Sequence, residues 1–525
     1  MKLLAIISLL VAIQLAHSAK ILLYDYKFQR SHVQFMNTIA DILVDEGHEV
    51  VMLSNVMDAS LRDFGSTRVR RYFVEQGTDA AAMRYSGMGS NHWKARGFYD
   101  WLRYFGMRKM IAAMGGQCMA MLNNLQLIEQ LREENFDVTL TTPHDNCIFY
   151  VLYKAGITNY AVIDSHSTLY HPTRLTGVPD QYSTLPGRFA SFSEMTFSNR
   201  LKNFISDASL KYLPRLIQGD YWEKVEASFP SGDVPDFHEL LANTSMVFLN
   251  RIPAIEFPSL TTHTVVDIGG ITIPKTNNSL DEHWKSILSL RPRTILISFG
   301  TIALSSEMPE EYKKTILQAI QAFPDVTFVW KYENPDHHIS EGIDNLIETT
   351  FTPQQELLKD PRLSLFMTHC GLSSTLETMI SGVPVIAIPM STDQHRNAQL
   401  LNRSGGGILM DKKDLANSEA IETNIRKILE NESYRSSSQR VASIIEDSPY
   451  SGKENFLRNL NFLIKFGPLP SMRIPSHKQS FIEHNMIDVY AFITVVLLAA
   501  VYGIFFVTRS ILRLFSFGLR KLKHE

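Results

Sequence analysis

The sequence predicts an α/β protein of two doubly wound units, followed by one membrane-length apolar helix. Three observations carry this reading. Residues 21–53 run strand, helix, strand, as at the start of a parallel sheet. A second alternation of strands and helices begins after about Ile273. Val489 to Val507 is a charge-free run of 19 residues, long enough to span a bilayer.

The elements follow in order. Lys2, the apolar run Leu3 to Leu15 and Ala16-His17-Ser18 read as a secretory signal over residues 1–18. An N-terminal unit, 19–270, opens with the short strand Ile21-Leu22-Leu23-Tyr24 and a polar loop reaching His32. A helix follows through Met36, Ile39, Ile42 and Leu43, ends at Gly47, and leads to the strand Glu49–Leu53. Phe136–Leu140 and Tyr160–Ile163 are later strands, with a helix from about Ile148 to Ala155 between them. The stretch from about Gly87 to Leu127 reads as helical and is rich in Met and aromatics, including Trp93, Phe98, Tyr99, Trp101, Tyr104 and Phe105. Such stripes usually build core, and here they are also candidate lining for an apolar pocket. A Pro-containing linker, 271–278, precedes the second unit, 279–486. In that unit Thr294–Ser298 and Val326–Trp330 are strands, a helix runs near Ile421–Glu430, and Asn455–Glu483 leads toward the apolar helix at 487–508.

Composition sets further bounds. With 525 residues, two or three domains are expected, and a net charge of −3 argues against a nucleic-acid partner. Arg509, Arg513, Arg520, Lys521 and Lys523 follow the apolar run, so residues 509–525 form a basic cytosolic tail and the body lies on the lumenal side. The terminal Lys521-Leu522-Lys523-His524-Glu525 resembles a dilysine retrieval signal for the endoplasmic reticulum, the alternative being a basic flank that holds the helix in register. Asn243, Asn277, Asn402 and Asn431 begin glycan acceptor triplets. Only Cys118, Cys147 and Cys370 are present, so no disulfide framework is expected.

The most informative stretch is Phe366 to Gln394. The apolar run Leu363–Met367 predicts a buried parallel strand. His369, Gly371, Ser373 and Ser374 then gather at a helix start, where free N–H groups and the helix dipole attract anions. Glu377 lies one turn further on the same face. Gly382-Val383-Pro384 stops the helix, Val385–Ile388 forms the next strand, and Asp393-Gln394 occupy the following loop. In an open α/β sheet both loops line one crevice. It would offer a phosphate cradle, a carboxylate for ribose hydroxyls and an acid–amide pair for sugar hydroxyls, which together suit a nucleotide sugar.

Thr368, His369, Gly371, Ser374, Glu377, Pro384, Pro389, Asp393 and Gln394 match the fixed points of a family signature. The chain resembles the UDP-glycosyltransferase family that contains the UDP-glucuronosyltransferases, over nearly all of its mature length. That resemblance implies the GT-B arrangement, with two Rossmann-like domains facing each other across a cleft. The N-terminal domain would bind the acceptor and the C-terminal domain the UDP-sugar. It also implies that Glu377 holds the ribose, Asp393 and Gln394 the hexose, Gln354 of Phe351-Thr352-Pro353-Gln354-Gln355 the uracil, and Ser298 and Thr301 the phosphates. His32, in Ser31-His32 after the first strand, would be the general base. No Asp-x-Asp occurs, so no metal or other cofactor is expected, and His369 with the helix start would stabilise the diphosphate.

One position departs from the family pattern. The acid expected to orient the base falls at Thr142, which accepts a hydrogen bond but cannot neutralise an imidazolium. Asp145 is the nearest replacement, and equally a turn aspartate after Pro143. The expected partners are UDP-glucuronate or UDP-glucose, a small lipophilic hydroxyl compound and a membrane. A membrane-lipid acceptor, a catalytically degenerate binder and a homo-oligomer all stay open.

Overall fold

The structure, a computed structural model, describes residues 18–82, 92–93, 108–168, 175–179, 181–187, 194–206, 219–229, 232–274, 280–474 and 479–521. Residues up to Arg473 form one compact unit, and those from Ile474 form a second. The first unit holds two fully parallel sheets. The N-terminal sheet orders its seven strands β3-β2-β1-β4-β5-β6-β7, and the C-terminal sheet its six β10-β9-β8-β11-β12-β13. In the first, β1 is Lys20–Lys27, β2 Glu49–Val56, β3 Arg70–Val74, β4 Val138–Thr141, β5 Tyr160–Asp164, β6 Val247–Leu249 and β7 Val265–Asp267. In the second, β8 is Arg293–Ser298, β9 Val326–Lys331, β10 Leu346–Thr349, β11 Leu363–Thr368, β12 Val385–Ala387 and β13 Gly407–Leu409.

Both sheets are buried on both faces, as parallel sheets require. On β1, Ile21 and Leu23 face Ile39 and Leu43 of the Arg30–Asp45 helix, while Leu22 and Tyr24 belong to the opposite core with Met121 and Ile148. β8 alternates in the same way. Ile295 and Ile297 meet Ile316 and Ile425, whereas Leu296 packs with Leu288 and Phe366. The strand order reverses between β1 and β4 and again between β8 and β11. These are the switch points of a doubly wound sheet, where crevices open at the carboxyl ends of the strands.

Three features differ from the sequence reading. The stretch predicted to lead toward the apolar helix contains a helix, Gly452–Phe466, that returns to the N-terminal sheet. There Phe456, Leu460 and Leu463 are buried with Ile21, Leu23 and Phe248, and the rings of Phe248 and Phe456 lie 5.1 Å apart. Trp93, proposed for an apolar pocket, instead joins the C-terminal core. Its ring meets Phe299 edge-on at 5.1 Å and its Nε1–H donates to the Leu304 carbonyl at 2.8 Å. The other five aromatics of that stripe lie outside the described residues. Cys118 and Cys147 form a disulfide, contrary to the expectation of none, and tie the Arg108–Leu122 helix to the Cys147–Ala155 helix. Pairing depends on which buried helices become neighbours, which a count of three cysteines cannot reveal.

The predicted signal, but for Ser18, lies outside the described residues, and the linker is described only as far as Pro274. In the second unit the helix Ile487–Lys521 contains Ile487–Leu514, 28 residues whose most apolar stretch of 18 has a mean hydropathy of 2.5. Among the described residues it is the one helix long and apolar enough to cross a membrane.

The disulfide closes a 29-residue separation in the chain, so its loss should cost about 3–4 kcal/mol. Denaturant unfolding of Cys118→Ala/Cys147→Ala beside the parent should show that difference, and an unchanged midpoint would contradict it.

Candidate active site

The site has two rims, each at the carboxyl ends of strands beside a switch point. On the C-terminal rim β11 runs into Cys370, whose φ of +65° turns the chain sharply into the Leu372–Ser381 helix, with Gly371 as its N-cap. The His369 ring sits between two glycines. A Cβ on Gly300 would lie 2.5 Å from its Cε1, and one on Gly371 would lie 2.7 Å from its Nε2. Neither position tolerates a side chain without moving the ring. Burial pushes the His369 pKa down to about 4, helped by Lys331 and His92 and opposed by Asp393. The ring is therefore neutral at pH 7, and its buried Nδ1 has no hydrogen-bond partner among the described residues.

Around this ring the other predicted residues gather. Ser298 ends β8 and is buried, and Thr301 is exposed just beyond Gly300. Ser373 is exposed on the first turn of the Leu372–Ser381 helix. Glu377 is buried there, and its two carboxylate oxygens accept from Gln354 Nε2 at 2.6 Å and Gln355 Nε2 at 3.0 Å. Burial raises the Glu377 pKa, and the two glutamines oppose that rise. Gln354 also donates to Ser374 Oγ at 3.0 Å, so it fastens the acid to the helix start. After β12, the carboxylate of Asp393 accepts from Asn397 Nδ2 and Thr392 Oγ1, both at 3.0 Å. Gln394 Oε1 accepts from the Met390 and Ser391 amides at 2.9 and 3.1 Å, closing the loop.

Sequence reasoning missed two neighbours of the His369 ring, a lysine and a histidine. Lys331 ends β9 and donates to the Gly300 carbonyl at 2.6 Å, which sets an ammonium beside the His369 turn. Its signal was its place at a strand's carboxyl end. His92 reaches over from the N-terminal half, with Nδ1 2.6 Å from Ser391 Oγ. Lys412 holds it there, donating to the carbonyls of His92 and Met390 at 2.9 and 3.0 Å.

On the N-terminal rim His32 lies in the first turn of the Arg30–Asp45 helix, beyond β1, with Nδ1 2.6 Å from Ser165 Oγ. Burial holds its pKa well below the usual imidazole value, and the neighbouring His144 and His166 add to this while Asp164 opposes it. Asp145 makes no hydrogen bond to His32. Its Oδ2 bonds Tyr24 Oη and accepts from Asn55 Nδ2 at 3.2 Å, and its Oδ1 accepts from the Cys147 amide at 2.9 Å. The carboxylate thus caps the next helix and satisfies a buried tyrosine. Thr142 is also buried, and its Oγ1 accepts from the His144 amide at 3.4 Å. The acid that does lie near His32 is Asp164, the buried end of β5. Burial raises its pKa, but His144 Nε2 at 3.2 Å and His166 Nδ1 at 3.1 Å outweigh that and leave it well below the carboxylate range. The polar run Asp164-Ser165-His166 directly after an apolar strand was its sequence signal.

The two rims are bolted together. Arg396, two residues beyond Gln394, makes a buried 2.8 Å ion pair with Glu256 and lies over the Phe257 ring at 4.9 Å. It also donates to the Pro186 carbonyl and to Ser167 Oγ, each at 3.2 Å. Ser167 follows His166 in sequence, so one guanidinium spans from the Gln394–Arg403 helix to the loop beside His32.

Residues 19–523 match the family model described as UDP-glucoronosyl and UDP-glucosyl transferase. The chain belongs to this UDP-glycosyltransferase family. Among its relatives, the putative UDP-glucuronosyltransferase ugt-48 of Caenorhabditis elegans is 27% identical, with 93% of this chain and 94% of that one covered. UDP-glucuronosyltransferase 1A6 of Homo sapiens is 25% identical, with 94% and 90% covered. Two solved structures share the fold. UGT2 of Phytolacca americana, complexed with UDP-2fluoro-glucose and pterostilbene, is 14% identical and superposes with a TM-score of 0.56, covering 85% of this chain and all (100%) of that one. Os79 from O. sativa, in complex with UDP, is 16% identical with a TM-score of 0.55 over 85% and 100%. The fold of this UDP-glycosyltransferase is accordingly GT-B.

Two outcomes test the geometry. Arg396→Ala leaves Glu256 buried and unpaired, so it should cost about 3–5 kcal/mol in denaturant unfolding. Unfolded His369 titrates near 6.5 and folded His369 near 4, so the stability held by the neutral ring is present above pH 6.5 and lost as pH falls toward 4. His369→Gln should flatten that loss, worth about 3 kcal/mol at most, when unfolding is measured at pH 7 and pH 4.5.

Proposed function

We propose that this UDP-glycosyltransferase moves a sugar, glucuronate in the first instance, from a UDP-sugar to a hydroxyl of a small lipophilic acceptor with inversion. The observation that supports this most is the Arg396 bridge, which ties the helix that begins at Gln394 to the loop carrying Ser165, the hydrogen-bond partner of His32. In this reading the helix start at Gly371–Ser374, with His369 and Lys331, stabilises the negative charge that grows on the departing diphosphate. Glu377 exchanges its glutamine partners for ribose hydroxyls, and Asp393 with Gln394 binds the hexose. With Nδ1 engaged by Ser165, Nε2 of His32 is the nitrogen that takes the acceptor proton. Asp164 stabilises the resulting imidazolium through space, in the role first considered for Asp145. No metal is needed for this chemistry, so chelator should leave UDP binding unchanged. The Ile487–Leu514 helix anchors the enzyme, with the body in the lumen of the endoplasmic reticulum and the basic tail in the cytosol.

A second reading has a specific motive. Thr142 replaces the expected acid and Asp145 is committed elsewhere, which suits a homologue that binds UDP-sugars and lipophiles without turnover.

Full-length protein with UDP-glucuronate or UDP-glucose and a panel of phenolic acceptors decides between them. The transferase reading expects a β-glycoside, formed faster from UDP-glucuronate, and a loss of about 10²–10⁴-fold in kcat/KM for His32→Ala while UDP still binds. Because the His32 pKa is depressed, the acid limb of kcat/KM should lie below pH 6.5 and move lower still in Asp164→Asn. UDP binding without product across the panel would favour the second reading, and failure to bind UDP would remove both.

A further inference from the structure

Three of the chain's 17 histidines meet on one rim, and the transfer reaction needs only one of them. His32, His144 and His166 follow β1, β4 and β5, three adjacent parallel strands. Each offers one ring nitrogen, and these atoms all lie within 4.8 Å of one another. The ring centroids stand 4.7–5.0 Å apart at steep angles, so the rings converge edge-first rather than stack. Behind two of them sits a buried carboxylate. Asp164 Oδ1 lies 3.1 Å from His166 Nδ1 and 3.2 Å from His144 Nε2. The same two nitrogens lie 3.2 Å from each other, so the ion would take the place of the proton they share beside the carboxylate.

We propose that His32, His144 and His166 form a site for a divalent transition ion of the zinc class, and that its occupancy excludes turnover. Three imidazoles with a fourth position open are a zinc donor set, whereas calcium and magnesium take oxygen ligands. Zinc–nitrogen bonds of about 2.0–2.1 Å need ligand atoms roughly 3.4 Å apart in a tetrahedral site. Small rotations of these three rings would bring the nitrogens that far together. The ion would use the same lone pair on His32 that receives the acceptor's proton. A coordinated His32 cannot act as a base, so the ion and catalysis compete for one atom. The exclusion rests on the base role proposed above, while the ion site itself does not.

Untagged full-length protein in detergent, stripped with chelator, tests this by calorimetric titration with zinc at neutral pH. One ion per chain should bind with a Kd in the micromolar range or below, and cobalt(II) in its place should give visible tetrahedral absorption bands. His144→Ala and His166→Ala should each abolish that saturable event, and Asp164→Asn should weaken it about 10–100-fold. UDP titration of every variant verifies the fold, because the donor residues lie in the other domain. Zinc should slow transfer by the parent enzyme, and chelator should restore it. No saturable binding, or binding kept intact in His144→Ala/His166→Ala, overturns the site. Zinc bound there without loss of transfer overturns the exclusion. A parent protein that ignores UDP discredits the transferase reading, while the zinc titration still decides the ion site.

Discussion

Parallel pairing is the constraint on which everything else in this molecule depends. When β1 lies parallel to β4 and β8 to β11, every loop that leaves a carboxyl end emerges on the same edge of its sheet. The chain must then return along a helix on one face or the other, and the reversal of strand order parts those helices above the switch point. The two crevices hold the His32–His144–His166 cluster and the His369 turn. Neither site required a special scaffold. Polar residues placed just after apolar strands were carried there by the pairing.

Charge is managed differently on the two rims. On the C-terminal rim a neutral histidine, a lysine and a helix start lie together, and Asp393 stands close enough to oppose the depression of the His369 pKa. On the N-terminal rim three imidazoles surround a single ionised carboxylate, Asp164. Burial alone would protonate that acid. The two ring nitrogens at hydrogen-bond distance keep it charged, and its charge in turn tempers the depression of the His32 pKa. This compact balance uses residues from β5 and its loop, where the family pattern would place an acid after β4.

The N- and C-terminal halves do not behave as independent beads. Trp93 from the N-terminal half is buried in the C-terminal core, while Phe456 from beyond the second sheet is buried against the first. Arg396 is paired inside the junction with Glu256. Such exchanges limit how far the rims can separate, because opening them exposes aromatic surface and a paired charge together.

What the sequence determined by itself is local and periodic. Apolar runs placed β1, β2, β4, β5, β8, β9, β11 and β12, and the spacing from Thr368 to Gln394 carried the resemblance to the family. Short strands such as β6, β7, β10 and β13, with three or four residues each, carry too little pattern to stand out. Tertiary structure alone decided the partner of His32, the Cys118–Cys147 bridge, the destination of Trp93 and the return of the Gly452–Phe466 helix. Each depends on contacts between segments tens to hundreds of residues apart. Asp145 and Asp164 are both acids near a strand end, and nothing local distinguishes them. Tyr24 Oη, buried opposite Asp145, engages that carboxylate, and the half-buried imidazoles of His144 and His166 engage Asp164.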